Sequence, residues 1–164
     1  MSLETVRAHL AVAAPDLVIL ETEARTATVA EAAAAHGVAP GEIAKTLSLR
    51  VGERVVLVVA RGDVRLDNRK ARAAFAAKPR MLEAAEVVSL TGHPVGGVCP
   101  FGLATPLPVY CDVSLRGFEA VWPAAGSVNS AVRIAPDRLA ALVGAEWVDV
   151  CQAVVVPEAA EGAG

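Results

Sequence analysis

The amino-acid sequence predicts a single α/β domain of the α+β kind, with helices and strands interleaved along the chain. Stretches with helical apolar spacing and stretches with strand-like patterning succeed one another from residue 2 to residue 150, so no half of the chain is all helix or all strand. The 164 residues and 54% hydrophobic content are enough for one core and cramped for two. No internal repeat or linker interrupts the pattern, so residues 1–152 read as one domain and residues 153–164, small and acidic, as a flexible tail.

Each element has its own local cause. Leu3, Val6 and Leu10 place a helix over residues 2–11, and Leu17 to Leu20, after Pro15-Asp16, reads as a short buried strand. Thr28 followed by Glu31 is a capping-box pattern and Gly37 a stop, which together bracket a helix at 29–36. Thr46 to Val51 alternates strictly, Gly52-Glu53 turns the chain, and Val55 to Ala60 returns as a continuous apolar strand, making a hairpin core. Asp67 caps a helix from Asn68 to Ala77 that Pro79 ends, and Glu83 to Leu90 forms a second helix stopping at Thr91-Gly92. Residues 92–102 hold too much Gly and Pro for a helix or a central strand, so they form an ordered loop. Strands are expected at Val109 to Val113, Ala120 to Trp122 and Ala131 to Ile134, with Gly126 to Asn129 turning between the last two. Pro136-Asp137 opens a final helix through Val143, and Trp147 to Val150 closes the sheet.

Composition excludes several classes of function. Apolar runs such as Val55 to Ala60 fall far short of the roughly 20 residues of a membrane-spanning helix. Glu4, Arg7 and Asp16 leave no uninterrupted apolar stretch for a secretory signal, so the expectation is a soluble cytoplasmic protein without a membrane partner. Cys99, Cys111 and Cys151 have no C-x-x-C spacing; no disulfide framework, metal site or other cofactor is expected, and each reads first as a small buried residue. No G-x-S-x-G surrounds a serine, and His9, His36 and His93 stand apart from any such motif, which counts against a serine hydrolase. Between Arg50 and Arg80, nine basic residues face three acidic ones, a local balance of +6 on a chain of net charge −3. That stretch suits a polyanion bound over a limited footprint, with Arg61, Arg69, Lys70 and Arg72 as candidate contacts; it equally suits an ordinary solvated helix face.

Three motifs then follow in order: Ile43-Ala44-Lys45-Thr46-Leu47, Gly96-Gly97-Val98-Cys99-Pro100 with Phe101-Gly102 after it, and Ala125-Gly126-Ser127-Val128-Asn129. Ala60-Arg61-Gly62-Asp63 and Leu90-Thr91-Gly92 stand between them. In this register the chain resembles the YbaK and prolyl-tRNA synthetase editing-domain superfamily over nearly its whole length. The resemblance implies a mixed, highly twisted β-sheet flanked by helices. It also implies a freestanding aminoacyl-tRNA deacylase acting in trans on the ester of mischarged tRNA, above all tRNA for proline bearing alanine, cysteine or another small amino acid. Its partners would be the tRNA acceptor end and prolyl-tRNA synthetase. A non-catalytic tRNA- or nucleotide-binding module of the same fold is the alternative.

Ester hydrolysis needs a positioned water, stabilisation of the tetrahedral oxyanion, and a proton for the ribose oxygen. Gly96 and Gly97 let their peptide groups approach a substrate closely, and Pro100 stiffens the loop that carries them; preorganised amide donors are worth about 3 to 4 kcal/mol each. By the resemblance, Lys45 is the functional lysine, orienting the terminal adenosine's phosphate as a point charge. Read without it, Lys45 is a strand-end lysine whose stem packs on apolar surface. A Schiff-base role is open to a desolvated lysine, but an ester does not call for one. Thr46, Val98 and Cys99 are taken as substrate-binding neighbours of these groups. Gly126 and Ser127 would wall the amino-acid pocket and Asn129 would read the α-amino group or the ribose, although Ser127 and Asn129 also suit plain turn satisfaction. His93 reads as a loop or rim residue, and Tyr110, Trp122 and Trp147 as core aromatics.

Overall fold

The computed structural model describes residues 2–154, so the expected tail beyond Val154 lies outside the described residues. Helix α1 (Ser2–Ala13) buries Val6 and Leu10, and β1 (Ile19–Glu21) follows it. Helix α2 (Val29–His36) starts on the expected capping box, with the Glu31 N–H on Thr28 Oγ1 at 3.1 Å and the Thr28 N–H on Glu31 Oε1 at 3.1 Å. A 3₁₀ turn (Pro40–Glu42) leads into the hairpin of β2 (Ile43–Val51) and β3 (Arg54–Arg61). Then come β4 (Val64–Leu66), α3 (Asn68–Phe75), β5 (Pro79–Met81) and α4 (Ala84–Thr91). The Gly- and Pro-rich loop reaches β6 (Val109–Asp112), after which β7 (Trp122–Pro123), β8 (Ser130–Val132), α5 (Pro136–Val143), β9 (Glu146–Val148) and β10 (Cys151–Ala153) complete the described chain.

The main sheet runs β5-β2-β3-β6-β9, with β7 alongside β2. It is mixed: β2 is antiparallel to β3 and β5 but parallel to β7, and β3-β6 and β6-β9 are parallel. Strand β3 explains why Val55 to Ala60 is apolar without a break. Leu57 and Val59 face a core shared with Val6 and Leu10 of α1 and Leu139 of α5, while Val56, Val58 and Ala60 face one shared with Ala71 and Phe75 of α3. A strand covered on both faces cannot alternate with polar residues.

Some expectations move. Strands β4, β5 and β10 are three residues each, too short to carry a readable period. Pro79 does more than end a helix: it opens β5, an edge strand where its missing N–H costs nothing. Ala153 pairs with Val64, so ordered structure passes the expected boundary at 152. The strand expected at Leu17 to Leu20 lies at Ile19–Glu21, pairs with β8 outside the main sheet, and leaves Leu20 and Glu21 exposed rather than buried. Helix α3 stops at Phe75 because Ala76 takes a left-handed conformation, φ +60°.

One irregularity positions the site. Along the edge of β2 away from β3, β7 covers Ile43 and Ala44, and β5 covers Leu49 to Val51. Between them Lys45, Thr46 and Leu47 have no strand neighbour on that side among the described residues, and the Ser48 carbonyl takes the Leu82 N–H at 3.0 Å. The sheet therefore has a notch at the lysine motif.

Candidate active site

The notch is one wall of a cavity of about 300 Å³. Ala44, Lys45, Thr46 and Ser48 line it from β2, Thr26 to Val29 from the segment entering α2, and Leu82, Ala84 and Val87 from around α4. Val95, Gly96 and Val98 of the loop, Trp122 of β7 and Ser130 of β8 complete much of the remainder. Lys45 is the sole ionisable residue in this lining among the described residues. Thr46 Oγ1 is buried without a hydrogen-bond partner among the described residues. An unpaired buried hydroxyl costs about 1–3 kcal/mol, which a ligand atom bonding to it would recover.

The Lys45 ammonium donates to the Gly62 carbonyl at 3.3 Å and to the Val64 carbonyl, both at the turn from β3 to β4. Burial pulls its pKa below the ordinary lysine value, against the opposing influence of Cys151 and Asp63. Two of its three donors are thus occupied by backbone carbonyls at that turn.

The loop is a sequence of backbone locks. Gly97 N–H donates to the Pro94 carbonyl at 2.9 Å, closing a turn in which Gly96 has φ +93°, as a type II turn requires at its third residue. This alters the expected oxyanion donors: the Gly97 N–H is already bonded, whereas those of Gly96 and Val98 meet no protein acceptor among the described residues. Gly97 has a different purpose. A Cβ there would lie 2.8 Å from the Ser127 backbone, and its carbonyl takes the Gly126 N–H at 3.1 Å, so it joins this loop to the 126–130 turn. Pro100 is buried behind the cavity rather than in its lining.

Four other expected positions fall outside the lining. Cys99 is fully buried, with Sγ 3.6 Å from His93 Nε2, and burial pushes its thiol up to about 12; it packs in the core with Val6, Leu57 and Phe101. Gly126 faces α1, where a Cβ would lie 2.8 Å from the Ser2 carbonyl oxygen. Asn129 Nδ2 donates to the Thr22 carbonyl at 2.9 Å, tying the turn to the chain after β1. Ser127 Oγ bonds Ser130 Oγ at 2.6 Å and so supports the serine that does line the cavity. Sequence reasoning missed Thr26, Ser48 and Ser130, because only folding brings their three segments to one cavity. Trp122, expected as a core aromatic, packs against the Ala32, Ala33 and Ile43 cluster and also lines the cavity, stacking on His36 with ring centroids 4.8 Å apart.

The expected polyanion contacts are not gathered at the cavity. Arg61 forms a double hydrogen bond with Asp63 at 2.7 and 2.8 Å and covers the Phe118 ring, and Lys70 holds Asp149 and the Cys151 carbonyl, each at 3.0 Å. Arg69 and Arg72 are exposed on α3. None of the four lines the cavity.

His93 is not a rim residue; it has no exposed surface. Its Nε2 faces the Phe101 carbonyl at 2.7 Å and its Nδ1 the Ser2 hydroxyl at 2.5 Å. Burial lowers its pKa, more than the bond to Phe101 raises it, and burial lowers that of His36 as well. Imidazoles kept neutral in the fold but free to charge in the unfolded chain let the unfolded state bind more protons. Stability is then complete above about pH 6.5 and falls as the pH drops below it. The urea midpoint is expected to decrease from pH 7.5 to pH 5.5, and less so in a His93→Gln variant measured against its own value at pH 7.5. A flat midpoint in the parent protein would contradict this.

The family model of the aminoacyl-tRNA editing domain matches residues 23–142, from the segment before α2 to the last turn of α5. The chain belongs to that family. The uncharacterized protein YwhH of Bacillus subtilis is 47% identical over 154 residues, 93% of this chain and 98% of its own length. A crystal structure of a proposed trans-editing enzyme for prolyl-tRNA synthetase superposes with a TM-score of 0.85 at 36% identity, covering 92% of this chain and 97% of that one. The proline–tRNA ligase of Bacillus licheniformis is 30% identical over 90 residues, 54% of this chain but 16% of the ligase. In this editing domain, the lysine strand, the Gly96 turn and Ser130 meet at one cavity, while Gly97, Ser127 and Asn129 hold that arrangement together.

Proposed function

We propose that this editing domain is an aminoacyl-tRNA deacylase that acts in trans in the cytoplasm on mischarged tRNA, above all tRNA for proline carrying alanine, cysteine or another small amino acid. The observation that carries the reading is the cavity itself: mainly apolar and small, with Lys45 as its single ionisable group beside a loop that offers the Gly96 and Val98 amides. Such a site has no side-chain nucleophile with a paired base, so a covalent acyl-enzyme is not its chemistry. It suits direct attack by water. The water oxygen bonds to the ester carbonyl carbon, the amides take the developing oxyanion, and the ribose oxygen leaves and recovers a proton, giving free amino acid and intact tRNA. Lys45 holds a phosphate of the acceptor end, and the Thr46 hydroxyl meets a polar atom of the aminoacyl group. Selection is by exclusion, since one methyl group in an apolar pocket is worth about 1–3 kcal/mol. Likeness to part of proline–tRNA ligases supports the choice of tRNA and of prolyl-tRNA synthetase as the partner whose errors are corrected.

The test is deacylation of tRNA for proline charged in turn with alanine, cysteine, serine and proline. Hydrolysis of at least one small noncognate ester, with prolyl-tRNA spared, is expected. Binding of these tRNAs by folded protein at micromolar concentration without any turnover would make the domain a tRNA-binding module instead.

A further inference from the structure

Helix α1 lies before residue 23, outside the segment matched by the family model, yet its first turn touches both loops that shape the cavity. Ser2 Oγ meets His93 Nδ1 at 2.5 Å, and the Ser2 carbonyl oxygen lies 2.8 Å from where a Cβ on Gly126 would stand. The Thr5 carbonyl packs as closely on Gly102, at 2.9 Å from its would-be Cβ. Side chains are excluded at both glycines because the helix backbone occupies the space.

The imidazole of His93 joins these contacts to the loop. Phe101 O can only accept, so Nε2 carries the proton, and Nδ1 is left to accept from the Ser2 hydroxyl. At the backbone, the His93 N–H donates to Thr91 Oγ1 at 3.0 Å, and that hydroxyl bonds back to the Val87 carbonyl at 2.6 Å. One neutral ring thus clamps the two ends of the 93–101 loop together and pins them to α1. From there the connection runs through Gly97 and Gly126, whose backbones bond at 3.1 Å, to Gly96 and Val98 on the cavity wall.

We infer that Ser2 and His93 are positioning residues, a linchpin through which the N-terminal helix holds the Gly96 turn in the geometry that stabilises the oxyanion. Neither residue lines the cavity, so each acts through the loop. Removing the Ser2 hydroxyl leaves a buried imidazole lone pair without a donor, a deficit relieved by rotating the ring or admitting water. Either response loosens the loop without altering the groups that hold the tRNA. The inference rests on the deacylase reading for its kinetic consequence alone.

The experiment compares the parent protein with Ser2→Ala and Ser2→Thr, by deacylation kinetics on the best mischarged tRNA of the panel and by amide hydrogen exchange. Ser2→Ala is expected to lower kcat by about 10- to 100-fold, as small misplacements of catalytic groups do, with KM little changed. Exchange should speed up in residues 95–98 and 126–130, and Ser2→Thr, which keeps the hydroxyl, should restore both. Unchanged exchange, or altered exchange with full kcat in an active enzyme, overturns the linchpin, as does a Ser2→Thr variant as impaired as Ser2→Ala. If the parent protein deacylates nothing while exchange responds as described, the deacylase reading fails and the mechanical coupling stands.

Discussion

Replacing Gly96 by alanine is expected to reduce deacylation by about 100-fold or more, the effect of misplacing oxyanion donors by about an ångström. Two penalties coincide at this position. The backbone sits at φ +93°, where an L side chain costs about 1–2 kcal/mol, and the new Cβ would lie 2.7 Å from Ala27 Cβ and 3.2 Å from its Cα. Ala27 precedes the cap of α2 and lines the same cavity, so the strain is relieved only by parting the loop from the opposite wall. Gly37→Ala is the control. Its φ is +69°, but a Cβ there meets nothing within 4 Å, so it should lose about 1 kcal/mol of stability and retain its rate. Single-turnover deacylation and thermal melting of the two variants distinguish them; a fully active Gly96→Ala enzyme would remove the loop from the mechanism.

Lys45→Ala should cost about as much in rate, roughly 100-fold, because it deletes the one charge in the lining. It also leaves the Gly62 and Val64 carbonyls without their shared donor, so a stability loss of about 1–2 kcal/mol accompanies it. Lys45→Arg separates the two effects. A guanidinium keeps the charge and can satisfy the carbonyls, but it is bulkier than an ammonium and sets its donors at different positions, so stability should recover further than rate. Full activity of Lys45→Ala on a mischarged tRNA would withdraw the role assigned to this lysine. Near-UV circular dichroism of each variant establishes that the fold is intact.

The contrast between these two residues shows how much of the site was legible beforehand. The helix starts at Thr28 and Asp67, the stops at Gly37 and Gly92, and the hairpin around Gly52-Glu53 follow from interactions over a few neighbours, and they appear where the sequence places them. The β5, β4 and β10 strands escaped because three residues give no period, and pairing with distant partners alone makes them strands. The family motifs brought Lys45, Thr46, Gly96 and Val98 into view, and these four do share a cavity. The same motifs drew in Cys99, Gly126 and Asn129, which serve the cavity from behind it.

The sequence by itself determined the order and kind of the main elements, the unbroken apolar run of β3, and membership of an editing family, because periodicity, caps and motif register are local properties of the chain. Only the tertiary structure decided which polar groups are spent and which remain free. Ser2 and His93 are 91 residues apart, Asn129 and the Thr22 carbonyl 107, and no local pattern announces either bond. The Gly97 amide is consumed by a turn while the Thr46 hydroxyl, at a notch in the sheet edge, has no partner among the described residues. The physical reason is that a hydrogen-bonding group is available for chemistry only after the fold has satisfied its own buried donors and acceptors, and that accounting closes across the whole molecule.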